Sequence, residues 1–417
     1  MRDIACLVAV LVSAMVGLVL SEEPVYFADL NLQAVVEEKL GITWPTPTDM
    51  LGLTELDASE RGIVDLIGVE YATNLTTLRL TKNQISDCNA ISTLANLKGL
   101  DLGYNQITDI SALSALTSLT DLWLYDNPIS DISALKGLTN LTYLYLQQNK
   151  VNDISPLSGL VSLRSLVVVY NQVADISAVS GLTNLTDLSL CGNDINDISA
   201  LRALTNLRAL FLSENQISDI SALSELTNLM SLGLGSNQIS DISSLSNLTN
   251  LMILWLGGNQ ISDISALSRL TNLTNLVLSQ NSISDISLLA NLTKLETLWV
   301  SDNQISDISA ISKLTKLTEV LLHGNQMNTA AYYIYLPLIR HSGPNLTHLR
   351  YDPNPNLLTG DDIASLIDFV KIALSWVEID CGEDNNWCEG VDSNHSGYVD
   401  LDDLAEFLNH LHKDTEK

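Results

Sequence analysis

The fold is decided by a stretch that recurs along the chain, and its clearest copy, Leu97 to Leu116, reads LKGLDLGYNQITDISALSAL. Leucine or isoleucine occupies 7 fixed positions in the frame Leu-x-x-Leu-x-Leu-x-x-Asn-x-Ile-x-x-Ile-x-x-Leu-x-x-Leu. One copy is too short to bury these side chains alone, so neighbouring copies must stack and share a core. The pattern therefore predicts a repeat architecture.

An asparagine marks the centre of each copy and recurs at an interval of 22 residues. The series comprises Asn83, Asn105, Asn127, Asn149, Asn171, Asn193, Asn215, Asn237, Asn259, Asn281, Asn303 and Asn325. The Leu-x-Leu before each asparagine is typical of a short strand whose side chains alternate between core and solvent. A buried amide is tolerated only when it is hydrogen-bonded. We therefore expect the asparagines to form a ladder that satisfies backbone groups of neighbouring copies.

The second half of a copy, commonly Ile-Ser-Asp-Ile-Ser-Ala-Leu, is too short for a full α-helix and predicts a 3₁₀ turn. An aspartate precedes this turn in eleven copies, where it can cap free backbone N–H groups. The series comprises Asp87, Asp109, Asp131, Asp153, Asp175, Asp197, Asp219, Asp241, Asp263, Asp285 and Asp307. Carboxylates in register could also bind a metal ion, but capping is the interpretation that we prefer.

These features resemble leucine-rich repeat proteins, and the 22-residue form resembles the internalin type over residues 25–356. The resemblance implies an α/β solenoid over residues 53–356 with about 14 repeats, a parallel sheet on its concave face and 3₁₀ turns on its convex face. A helical N-cap is expected over residues 22–52, with an apolar face formed by Phe27, Leu32, Val35, Val36 and Leu40. An apolar insertion, Tyr332 to Ile339, predicts a helix near the far end.

Charge and histidine content exclude several classes of function. Forty-nine acidic residues against 20 lysines and arginines give a net charge of −29, which repels nucleic-acid phosphates. The first of 6 histidines is His323. No nucleophile–base pair that uses histidine can therefore form in most of the repeat region. The sequence indicates a binding protein that is not an enzyme.

Large aromatic residues recur on the predicted outward positions of the strands, where the repeat frame does not require them. Four places before the asparagines stand Trp123, Tyr145, Phe211, Trp255 and Trp299, with Tyr125 and Tyr143 beside them. We predict two binding patches for a protein partner, one around Trp123, Tyr125, Tyr143 and Tyr145, and one along Phe211, Trp255 and Trp299. Aromatic residues suit recognition because they bring much contact area at little entropic cost. Glycan binding is the alternative, and the rings could also simply pack on one another.

The N-terminus predicts export. Residues 1–21 contain an apolar run from Ile4 to Leu20 after a single arginine, which fits a secretory signal peptide. An uncleaved membrane anchor is the alternative. We expect a secreted or cell-surface bacterial protein that is monomeric and has no membrane span after cleavage.

The region 357–417 predicts a small helical module with a calcium loop. Oxygen donors at loop spacing are Asp392, Asn394, Ser396, Tyr398 through its carbonyl, Asp400 and Asp403. Asp403 at the last position resembles a dockerin-type half, which implies a cohesin-like partner; a module that calcium folds for closure or surface retention is the alternative. Cys381 and Cys388 could form a disulfide in an oxidising compartment, whereas Cys88 and Cys191 are interpreted as small apolar fillers.

Overall fold

A computed structural model describes residues 22–342 and 346–352 of the 417-residue chain. The chain divides into two compact units, of which the first ends at Ile217 and the second begins at Ser218. The predicted signal peptide lies outside the described residues, so its prediction stands on the sequence alone.

The first unit opens with two helices, α1 (Leu30–Leu40) and α2 (Pro47–Met50). Leu32, Val35 and Val36 are buried as predicted. The predicted apolar helical face is wrong at its two ends. Phe27 is buried but precedes the helix, and Leu40 is only half-buried.

Asp29 explains why α1 begins at Leu30. Its Oδ1 accepts from the backbone N–H of Asn31 at 2.8 Å, which caps the first turn. Its Oδ2 accepts from the N–H of Val64 at 2.7 Å, so the same side chain joins the helix to the first repeats. These hydrogen bonds lower the pKa of Asp29, although burial opposes them.

The described residues contain fourteen strands of three residues each, which agrees with the predicted count of about 14 repeats. In the first unit they are β1 (Glu55–Asp57), β2 (Thr77–Arg79), β3 (Gly99–Asp101), β4 (Asp121–Trp123), β5 (Tyr143–Tyr145), β6 (Ser165–Val167), β7 (Asp187–Ser189) and β8 (Ala209–Phe211). In the second unit they are β9 (Ser231–Gly233), β10 (Ile253–Trp255), β11 (Asn275–Val277), β12 (Thr297–Trp299), β13 (Glu319–Leu321) and β14 (His348–Arg350). Within each unit, consecutive strands pair in parallel and residues aligned in the register are one repeat apart. The central leucine or valine of nearly every strand is fully buried, so the aligned strands supply one side of the core.

3₁₀ turns supply the other side, as the repeat pattern predicts. They lie at Val69–Tyr71, Asn89–Thr93, Ser111–Ala115, Ser133–Gly137, Ser155–Gly159, Ser177–Gly181, Ser199–Ala203, Ser221–Leu223, Ser243–Leu245, Ser265–Arg269, Ser287–Asn291 and Ser309–Lys313. In each copy the aspartate accepts from the backbone N–H two residues later, as between Asp109 and Ser111 at 2.8 Å. The same bond recurs from Asp87 to Asp307. The aspartates therefore cap the turns, as predicted.

The asparagine ladder is also present, and Asn127 shows its geometry. Its Nδ2 donates to the carbonyl of Leu102 in the preceding repeat at 2.9 Å and to that of Leu124 in its own repeat at 3.1 Å. Its Oδ1 accepts from the N–H of Ile107 at 3.0 Å. One buried amide thus satisfies backbone groups in two adjacent repeats, which explains why asparagine occurs at this position.

The second unit ends in a helical insertion followed by β14. A π-helical turn, Ala331–Tyr335, continues into α3, Leu336–Ser342. The helix predicted in this insertion is confirmed. Its Arg340 lies 5.6 Å from the ring centroid of Tyr351, a cation–π contact that joins α3 to the segment after β14.

Candidate functional site

The outer sheet face, defined as the first and third residues of the strands, carries all of the predicted aromatic residues except Tyr125, which follows β4 by two residues. In β4, for example, Leu122 is fully buried while Asp121 and Trp123 are half-buried. The alternation follows from the pleat of a strand. The sequence prediction that Trp123 and Tyr145 point away from the core is therefore confirmed, whereas their part in binding stays a prediction.

Three rings of the first predicted patch take part in two ring pairs, one of which includes Tyr104. Trp123 and Tyr145 are aligned between β4 and β5, and their rings stack with centroids 6.1 Å apart and planes at 14°. Tyr104 and Tyr125 form an edge-to-face pair with centroids 5.3 Å apart and planes at 88°. Tyr143, at the start of β5, is 40% exposed. These five residues are called the aromatic cluster below.

These two ring contacts hold the paired rings of the aromatic cluster in place in the unbound protein. Offset-stacked and edge-to-face arrangements at these distances are the favoured ones for aromatic pairs. The interpretation that the rings pack on one another is thus correct for these two pairs. Packing and recognition do not exclude each other, since rings held in place lose little entropy on binding.

The absence of a side chain at Gly103 explains the position of the Tyr125 ring. Tyr125 occupies the equivalent position one repeat later. A Cβ at Gly103 would collide with the ring of Tyr125. The same relation holds between Gly192 and Tyr170, where the glycine comes one repeat after the tyrosine. The repeat pattern did not predict that a glycine makes room for the tyrosine ring of a neighbouring repeat. The signal in the sequence is a glycine and a tyrosine 22 residues apart at equivalent positions.

Carboxylates surround the aromatic cluster. Asp101 is aligned with Trp123 across β3 and β4, Asp121 is two residues before Trp123, and Asp126 follows Tyr125. Burial raises the pKa of Asp126, and the hydrogen bond from Tyr104 only partly offsets it. Burial, followed by the charge of Asp101, raises the pKa of Tyr125. The Tyr125 hydroxyl therefore stays protonated and can donate a hydrogen bond.

The second predicted patch is divided between the two units: Phe211 belongs to the first, and Trp255 and Trp299 to the second. Val277 lies between the two tryptophans in the register of β10 to β12. Trp255 is 42% exposed, whereas Trp299 is half-buried and its Nε1 has no hydrogen-bond partner among the described residues.

Comparison with known proteins shows the family. The model of the Leucine Rich repeats (2 copies) family matches residues 73–115, 95–137, 139–181, 183–225, 227–269 and 271–313. The crystal structure of an internalin from Listeria monocytogenes is 37% identical, with a TM-score of 0.76, and covers 81% of this chain and 99% of its own. The chain is a leucine-rich repeat protein of the internalin-like type.

A second structure supports the fold alone. A leucine-rich repeat protein of Leptospira interrogans is 24% identical, with a TM-score of 0.66, and the match covers 74% of this chain and 80% of that one. A search among curated proteins found no match.

The cysteines of this leucine-rich repeat protein differ in their surroundings. Burial raises the pKa of the Cys88 thiol to about 11, which fits the predicted role as a filler. Cys191 is only half-buried, two residues after the end of β7, so the filler interpretation does not describe it fully. Cys381 and Cys388 lie outside the described residues, and their predicted disulfide stays a prediction.

No group of three or more histidine, cysteine, aspartate or glutamate side chains in the described residues could hold a metal ion. The predicted calcium ligands Asp392, Asn394, Ser396, Tyr398, Asp400 and Asp403 lie outside those residues. Within residues 22–342 and 346–352, no helix has both the length and the apolar character that crossing a membrane requires.

Proposed function

We propose that this chain is an exported, non-catalytic recognition protein that binds a protein partner through its outer sheet face. The observation that carries the proposal is the aromatic cluster, five rings from three successive repeats of the first unit, four of which pack in pairs. The repeat frame explains the leucines and asparagines but does not require these rings. Similarity to an internalin supports the same class of protein.

Aromatic residues dominate the energetics of protein interfaces because each buries a large area with few rotatable bonds. Tyr143 and Tyr145 also bring hydroxyl groups that can bind polar groups of the partner. Neighbouring repeats fix the position of each ring. Binding would therefore require little rearrangement of this face.

The second candidate is a non-catalytic glycan-binding or scaffold subunit of an extracellular polysaccharide-degrading assembly. Exposed rings such as Tyr143 favour it because sugar rings can stack on aromatic faces. The dockerin-like loop from Asp392 to Asp403 would bind calcium and attach the protein to a cohesin-like partner. Export by the signal peptide and a bacterial cell-surface or extracellular location belong to both candidates.

Affinity capture tests the two candidates. Residues 22–417 are immobilised in calcium-containing buffer and exposed to the extracellular fraction of the source organism and its surroundings. Three baits are compared: the natural sequence, a variant with Trp123→Ala and Tyr145→Ala, and a variant with Trp255→Ala and Trp299→Ala. A protein retained by the natural bait and lost with the first variant supports protein recognition by the aromatic cluster. Retention of glycan alone favours the second candidate, and identical capture by all three baits contradicts both roles of the rings.

A further inference from the structure

The charges around the aromatic cluster restrict the chemistry of the partner. Asp121 lies in the same strand as Trp123, and Asp126 follows Tyr125 directly. Asp121 Oδ2 accepts from the hydroxyl of Thr120 at 2.5 Å, which leaves its other oxygen without a recorded intramolecular bond among the described residues. Asp126 already has intramolecular donors, because the Tyr104 hydroxyl and the Gln148 amide donate to its oxygens. Asp121 therefore is the carboxylate that keeps an oxygen for a partner.

No described lysine or arginine forms an ion pair with these carboxylates. Lys82, whose charge acts on Tyr104 and Tyr125, already pairs with Glu60 at 2.7 Å. Arg79 is aligned with Asp101 across β2 and β3, yet it forms no ion pair with it. Among the described residues, Asp101, Asp121 and Asp126 therefore have no ion-pair partner.

Aromatic rings and carboxylates together suit one kind of side chain. A guanidinium group can stack on the face of tryptophan or tyrosine while it donates hydrogen bonds to a carboxylate in its plane. The net charge of −29 over the whole chain would also attract a basic partner from a distance.

We propose that the aromatic cluster, with Asp121, binds an arginine-bearing segment of a protein partner. This inference rests on the proposed function and specifies the chemistry of the partner. The guanidinium group contacts the Trp123–Tyr145 pair, and the Asp121 carboxylate accepts its hydrogen bonds. An acidic or purely apolar partner surface would leave that carboxylate uncompensated.

Defined peptides test the inference with the full mature chain, residues 22–417. Three peptides of equal length carry arginine, glutamine or glutamate at the same positions in a glycine–serine background. Binding is measured by isothermal titration and by the fluorescence of the natural tryptophans. We expect the arginine peptide to bind at least about tenfold more tightly than the glutamine peptide. The glutamate peptide should bind most weakly.

A matched variant pair separates the local site from the general acidity of the protein. Asp121→Asn should abolish most of the preference for arginine. Asp187→Asn is the control: Thr186 donates to Asp187 Oδ2 at 2.7 Å just as Thr120 does to Asp121, but β7 carries no aromatic residue. The control variant should keep the preference.

Three results would overturn the inference: equal binding of the arginine and glutamine peptides, equal effects of the two variants, or no saturable binding of the arginine peptide. None of them would by itself refute the proposed function. If affinity capture still yields a protein that depends on Trp123 and Tyr145, the cluster recognises protein by another chemistry. Failure of that capture as well would refute protein recognition by the cluster.

Discussion

At the scale of single residues, two positions of the repeat explain the fold and the proposed binding. They are the ladder asparagine and the outward-facing residue four places before it. Asn127 is 4% exposed and satisfies backbone groups in two repeats, so its role is structural. The repeat frame does not require a tryptophan at position 123, yet the Trp123 ring stacks on the ring of Tyr145. The structural asparagine and the ring that we propose for recognition are thus only four residues apart in the repeat.

Asn127→Ala should lower the free energy of unfolding by about 3 kcal/mol, since it leaves the Ile107 N–H without a partner and removes one of two amide donors from each of the Leu102 and Leu124 carbonyls. Asn140→Ala is the control, because Asn140 is exposed and its Nδ2 makes one bond, to the carbonyl of Thr117 at 2.9 Å. Asn140→Ala should lower the free energy of unfolding by about 1 kcal/mol. Urea unfolding followed by tryptophan fluorescence measures both, and equal midpoints for the two variants would contradict this account of the ladder.

Gly103→Leu should displace the ring of Tyr125 and open the edge-to-face pair with Tyr104, because a Cβ at residue 103 collides with that ring. The core leucines are untouched, so we expect partner binding to fall while the fold is kept. Near-ultraviolet circular dichroism and binding to the captured partner report the two effects. Gly137→Leu is the control, as a Cβ there meets no atom within 4 Å; equal binding by both variants would show that the position of Tyr125 does not matter.

At the scale of elements, each repeat joins a three-residue strand to a 3₁₀ turn, and the aspartate before the turn links charge to stability. Backbone N–H groups of the following serines lower the pKa of Asp131, Asp153, Asp197, Asp241 and Asp285. A depressed pKa in the folded state means that the charged form stabilises the fold. This contribution is complete above the ordinary aspartate pKa and is lost as pH falls through the folded-state pKa.

A variant with Asp131→Asn, Asp153→Asn and Asp197→Asn tests this linkage. Asparagine keeps an acceptor oxygen but removes the charge. We expect a lower melting temperature than that of the natural protein at neutral pH. The difference should shrink as the pH falls below the ordinary aspartate value near 3.8, because the natural aspartates become neutral too. A difference that stays constant with pH would mean that the carboxylate charge contributes nothing.

Most of the elements can be predicted from the sequence because the pattern of each element occurs in copy after copy of the repeat. Leu100, Asn105 and Asp109 have equivalents in successive copies, so their strand, ladder and turn follow from pattern alone. The start of α1 does not follow from the repeat pattern. The Asp29 cap also accepts from the N–H of Val64, which is distant in sequence. Ring pairing was also beyond the pattern: alternation shows which face Tyr125 occupies, but the absence of a side chain at Gly103 decides where its ring lies.

At the scale of the whole molecule, the dominant property is charge, with 49 acidic and 20 basic residues. Such an excess steers oppositely charged partners and repels acidic ones. For association with the captured partner, raising the salt concentration from about 0.05 M to about 0.5 M should reduce the association rate constant by about tenfold and change the dissociation rate constant less. Surface plasmon resonance measures both constants. An association rate constant independent of salt would exclude a basic partner.

The central claim is that the aromatic cluster contacts a protein, and site-specific photocross-linking tests it most directly. A benzophenone amino acid replaces Tyr143 in the cluster in one sample. In another it replaces Tyr26, which is 74% exposed outside the cluster, as the control. After illumination with the extracellular fraction, the account predicts a discrete protein adduct from position 143 and none from position 26. Adducts of equal yield from both positions, or no protein adduct from position 143, would contradict the claim.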